Sequence, residues 1–69
     1  MKNVRVAKIL VVDDEPFQRL ALADMITLCD FECNSVENGK QALEELRKFP
    51  DEYDLVLLDL IMPEMVNIN

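Results

Sequence analysis

Three carboxylates stand at the ends of two apolar runs. Asp13 and Asp14 follow Ile9, Leu10, Val11 and Val12, and Asp59 follows Leu55, Val56, Leu57 and Leu58. One Asp at a strand end is ordinarily a solvated acid. Two runs that both end in Asp, the first with a doublet, point to carboxylates gathered in one volume. Converging carboxylates repel one another unless a cation sits between them. Oxygen donors alone select a hard ion, and few protein ligands completed by water select Mg2+. The chemistry these residues could do is that of an acidic metal site built from Asp13, Asp14 and Asp59.

Such a site needs two strands that run side by side in the same direction. Residues 7–12 form a short apolar run without alternation, which suits a parallel strand covered on both faces. Glu15 and Pro16 then open a helix, with the proline in the first turn, where its missing N–H costs nothing. Phe17, Ala21, Leu22, Met25, Leu28 and Cys29 share one arc of that helix, and Arg19, Ala23, Thr27 and Asp30 lie opposite. Residues 31–36 read as a weaker strand. Asn38 and Gly39 mark a turn, and Asn38 is placed to cap a second helix on which Ala42, Leu43, Leu46 and Phe49 recur. Pro50 stops that helix. Residues 55–58 are the third strand, and Met62-Pro63 begins a loop. The order is β-α-β-α-β, and each helix is long enough to cross over between parallel strands. The expected fold is an α/β open parallel sheet with helices on its faces. Ligands of such sheets bind beyond the C-terminal ends of the strands. With the first and third strands as neighbours, about 4.8 Å apart, the three acids converge there.

Composition narrows the function. The chain has 69 residues, 51% of them hydrophobic, with one Gly and three Pro. That is too apolar for a disordered tail and sets a limit of one domain. The net charge of −7, from 14 acidic and 7 basic residues, argues against direct contact with nucleic acid, which needs clustered Lys or Arg. The apolar run behind Lys2, Arg5 and Lys8 is too short for a signal peptide, and nothing approaches a membrane span. A cytoplasmic protein with no membrane partner is expected. Cys29 and Cys33 form a lone C-x3-C pair, read as two small core residues ahead of a redox pair.

Three segments carry a resemblance. KILVVDDEP, residues 8–16, is similar to the opening of response-regulator receiver domains; NGKQAL, residues 38–43, resembles the start of their second helix; and DLVLLDLIMPEM, residues 54–65, resembles the segment around their phosphorylated aspartate. The likeness runs from about Lys8 to Met65. It implies a truncated flavodoxin-like sheet with strand order 2-1-3, a leader over residues 1–6, a partial receiver domain over residues 7–65 and a divergent tail over residues 66–69. It also implies a mechanism, in which Asp59 takes a phosphoryl group from a phosphohistidine on a histidine kinase or histidine phosphotransfer protein. Asp14, Asp59 and the backbone carbonyl of Ile61 would hold Mg2+, and Asp13 would reach the ion through water. The donor histidine must come from a partner, because this chain has no His. The resemblance describes a phosphoacceptor module of a phosphorelay rather than an enzyme.

The chain also departs from that pattern. Asp30 stands where the family often has Gly after the first helix, a position Asp tolerates better than most residues. After Met65 the family continues with Asp or Asn and Gly, and here the sequence reads Val66, Asn67, Ile68 and Asn69. The motif breaks at one point, as expected of a broken reading frame or an unspliced intron. The Ser or Thr and the Lys that the family's later strands contribute have no counterpart in this chain. Lys8 lies at the wrong end of the first strand, roughly 16 Å from the acidic edge, and Lys40 lies two strands away. An unpaired apolar edge at residues 55–58 is expected to favour self-association or unfolding of the isolated chain. One alternative is a truncated, phosphorylation-dead receiver that binds proteins through that edge. A Mg2+-dependent phosphohydrolase fits less well, because such enzymes place a second Asp two residues after the nucleophile, where this chain has Ile61.

Overall fold

The computed structural model describes residues 6–58. Among them the chain order is β1 (Lys8–Val12), α1 (Pro16–Leu28), β2 (Glu32–Val36), α2 (Gly39–Lys48) and β3 (Leu55–Leu58). The strands form one sheet in the order β2-β1-β3, and both pairings are parallel. The expected β-α-β-α-β architecture and strand order are therefore present. β1 is the centre of the sheet, and its Ile9, Leu10, Val11 and Val12 are buried. Leu10 and Val12 pack with Ala42 of α2, flanked by Val36, Leu46 and Tyr53. Alternation along the strand turns Ile9 to the other face, where it shares an apolar groove with Leu22, Met25 and Ile26 of α1.

Helix α1 begins at a cap the sequence spelled out only in part. Pro16 occupies its first turn, and the Glu15 carboxylate accepts from the N–H groups of Phe17 (3.1 Å) and Gln18 (3.2 Å). These are two of the donors that every helix start leaves open. The helix is rotated from the expected orientation. Arg19, Leu22, Ala23 and Ile26 are its half-buried positions, whereas Phe17 is 82% and Leu28 83% exposed. The sequence pattern places Arg19 and Ala23 on the outer side. Apolar residues surround most of α1, so hydrophobicity alone does not choose a face, and the polar anchors at its start decide the rotation. Cys29 is likewise exposed rather than in the core; Cys33 is half-buried, and both are free thiols.

The far end of α1 closes as a Schellman motif. Phe31 N–H donates to the Ile26 carbonyl at 3.2 Å, and Asp30 N–H to that of Thr27 at 2.9 Å. Asp30 takes the left-handed conformation, φ 70°, as its place after the helix suggested. In α2 the Asn38 side chain accepts from Gln41 N–H at 2.9 Å, the expected cap. Gly39 is already the first helical residue and has no positive φ, so the turn is made by Glu37 and Asn38. Ala42 is buried and Leu46 half-buried, whereas Leu43 and Phe49 of the same expected arc are exposed.

The N-terminal edge of the sheet is held by polar contacts. Lys8 Nζ meets Glu52 at 3.0 Å and lies 5.3 Å from the centroid of the Tyr53 ring. The Tyr53 hydroxyl donates to Glu45 at 2.6 Å and accepts from Asn34 at 2.7 Å. The backbone amide of Lys8 donates to the Asp54 carboxylate at 2.8 Å. β3 is an edge strand, and its four residues are 38–51% exposed.

Candidate functional site

The chemistry expected at the C-terminal edge begins with Asp13. Its N–H donates to the Val36 carbonyl at 3.1 Å, which extends the β1–β2 pairing by one residue. That pairing draws the whole residue into the interior, and Asp13 is fully buried. Its two carboxylate oxygens have different surroundings. Oδ1 accepts from Glu15 N–H at 2.9 Å, whereas Oδ2 is buried with no hydrogen-bond partner among the described residues. Its main-chain carbonyl accepts from Arg19 Nη1 at 2.8 Å. Asp14, next in the chain, is exposed.

The β1–β3 register pairs Val12 with Leu58. The residues that end the two strands therefore sit side by side, and in the sequence each is followed by an aspartate, Asp13 and Asp59. Asp59 and Ile61 lie outside the described residues, as does the Met62-Pro63 loop. Among the described residues no group of three His, Cys, Asp or Glu side chains could hold a metal; the described part of the site is the Asp13–Asp14 pair. Its donors suit a hard cation, and an unpartnered buried carboxylate oxygen is what such an ion would satisfy. Lys8 is engaged with Glu52 at the opposite edge, as its place at the start of β1 implied.

Two residues that shape this edge were not singled out by sequence. Glu15 is the helix cap and also the donor to Asp13, and Arg19 reaches back to the Asp13 main chain. The available signal was their spacing. Glu15 and Arg19 lie four apart, on one side of the first turns.

The family model for the response regulator receiver domain matches residues 9–68. The chain belongs to the response regulator receiver family. The chemotaxis protein CheY of Thermotoga maritima is 36% identical over 63 residues, covering 90% of this chain and 51% of that protein. CheY of Bacillus subtilis is 40% identical over 62 residues, covering 88% of this chain and 50% of that protein. A segment of the sensor histidine kinase RcsC of Escherichia coli is 42% identical over 57 residues, covering 83% of this chain and 6% of that kinase. The receiver thus spans about half the length of the chemotaxis proteins it matches. No solved structure gives a significant match. The chain is a receiver domain of the two-component signalling type, and the matched region takes in β1 from Ile9 onward and the acidic doublet that follows it. No helix among the described residues is long and apolar enough to cross a membrane.

Proposed function

We propose that this receiver accepts a phosphoryl group on Asp59 from a phosphohistidine of a histidine kinase or histidine phosphotransfer protein. The observation that supports it best is the buried Asp13 carboxylate, with one oxygen lacking a donor among the described residues, at the end of a strand in parallel register with the strand that leads into Asp59. Asp14, Asp59 and the backbone carbonyl of Ile61 are the ligands proposed for Mg2+, with Asp13 acting through water. Bound there, Mg2+ would offset the charge of a carboxylate meeting a phosphoryl dianion. In the transfer a carboxylate oxygen of Asp59 bonds to phosphorus as the P–N bond of the donor breaks, and the imidazole departs and takes up a proton. Asp13 and Asp14 stay in place, so catalysis is positioning and charge compensation. On this reading the domain is a phosphoacceptor that passes on a signal and does not turn over a substrate of its own.

The test uses phosphoramidate, whose P–N bond stands in for phosphohistidine. Incubation with Mg2+ is expected to give one hydroxylamine-labile phosphoryl group per chain, lost in Asp59→Asn and with a chelator. Label retained in Asp59→Asn would remove Asp59 from the role. The exposed β3 edge favours a second reading, a protein-binding module that self-associates through that strand without phosphorylation. Dimers that persist in Asp59→Asn, together with no labelling of the wild type, would favour it.

A further inference from the structure

The hydrogen bonds around Asp13 close into a ring. Glu15 N–H donates to Asp13 Oδ1 at 2.9 Å. Arg19 N–H donates to the Glu15 carbonyl at 2.9 Å. Arg19 Nη1 then donates back to the Asp13 carbonyl at 2.8 Å. The Glu15 side chain, capping Phe17 and Gln18, fixes the helix turn through which the ring passes. Each member limits the freedom of the next, and the Arg19 side chain spans from α1 to the residue that follows β1.

We infer that Arg19 is the positioning residue of the acidic site. Its guanidinium holds the Asp13 main chain, so that Oδ1 stays on the Glu15 amide and Oδ2 stays free to meet a cation through water. The inference rests on the reading of Asp13 and Asp14 as metal-site residues. Arg19 suits the role because its group is planar, always charged and half-buried on the sheet side of α1. The charge and the geometry act in opposite directions here. A guanidinium near a cation site repels the cation, so a purely electrostatic Arg19 would weaken Mg2+ binding, and its removal would tighten it. A purely packing Arg19 would be replaced without loss by Met, which keeps an aliphatic stem. A positioning Arg19 strengthens Mg2+ binding, because groups that orient ligands commonly set affinity by about 10- to 100-fold.

The experiment measures hydrogen exchange at the Glu15 amide and Mg2+ affinity in the wild type, Arg19→Met and Arg19→Lys. In Arg19→Met the Glu15 amide is expected to exchange about tenfold faster, with the amides of Leu10 and Val11 still protected, and Mg2+ to bind about tenfold more weakly. Arg19→Lys, which keeps a charge and a donor, is expected to fall between the two. Unchanged Glu15 exchange, or Mg2+ binding that is unchanged or tighter in Arg19→Met, overturns the inference. If Arg19→Met loses the fold, Arg19→Gln carries the comparison, because it stays polar but is too short to reach the Asp13 carbonyl. A wild type that takes no Mg2+ would overturn the proposed function, and Glu15 exchange would still decide whether Arg19 holds Asp13.

Discussion

Exchanging Asp13 for Asn separates what this residue does for the fold from what it does for the site. The amide keeps a carbonyl oxygen for the Glu15 N–H at 2.9 Å, and an NH2 of similar size replaces the unpartnered Oδ2. A buried polar group without a partner costs about 1–3 kcal/mol, and more when it is charged. Replacing a charged orphan by a neutral one should therefore stabilise the metal-free fold by about 1–2 kcal/mol. In a domain this small, 1 kcal/mol moves the melting midpoint by about 4–8 °C. The order should reverse with metal. At Mg2+ near 100 times its Kd the wild type gains about 2.7 kcal/mol, and Asp13→Asn gains less. The assay is thermal melting followed by circular dichroism, at one chain concentration, in chelator and then in Mg2+. An Asn variant that melts below the wild type in chelator would show that Oδ2 already has a donor. Equal gains from Mg2+ in both proteins would remove Asp13 from the metal site.

Four further outcomes follow from the same geometry. Asp30, at φ 70°, should lose about 1 kcal/mol of stability as Ala, whose left-handed form is strained, but not as Gly; equal midpoints for the two variants would contradict the Schellman assignment. Gly39→Ala should stabilise by about 0.4–1 kcal/mol, because an added Cβ meets nothing within 4 Å; a lower midpoint would refute this. The hydrogen bond to Glu52 holds the Lys8 amine above its ordinary 10.5, and burial, ahead of the Glu45 hydrogen bond, holds the Tyr53 hydroxyl above its ordinary 10.0. Stability from a raised pKa is whole below the unfolded value and is lost as pH rises through the folded one. The midpoint should thus fall above about pH 10, less steeply in Glu52→Gln, and identical profiles would sever Lys8 from Glu52. Finally, sedimentation should show association that rises with concentration and weakens in Leu57→Lys, since a charge on an edge strand opposes pairing; unaltered association would exonerate β3.

β1 and β3 were legible because they are continuous apolar runs that stop at charges, and β1 is the one buried on both faces. The crossover helices implied parallel strands, and the strand order came from the family resemblance. Helix α1 was less legible. Its start was readable from Pro16, but its rotation was not, because Phe17, Leu20 and Leu28 make the outer side nearly as apolar as the inner. The contact that marks the inner side is polar, from Arg19 to a main-chain carbonyl, and carbonyls carry no sequence signature. Residue type pointed to the Asp13–Asp14 doublet, but the sequence did not show that the first is buried and the second exposed. That difference comes from one extra rung of the sheet ladder, Asp13 N–H to Val36.

The run of Leu10, Val11 and Val12, almost without solvent contact, lies between two charged ends that act as separate electrical compartments. Lys8 and Asp13 are five residues apart, roughly 16 Å along an extended strand. The Debye length at physiological salt is about 8 Å, so a charge change at Lys8 or Glu52 is largely screened before it reaches the exposed Asp14. A dye, tag or surface charge placed among Lys8, Glu32 and Glu52 should therefore leave the electrostatics of the exposed Asp14 almost untouched. The Lys8 end is the one from which the receiver can be watched without disturbing the exposed part of its acidic edge.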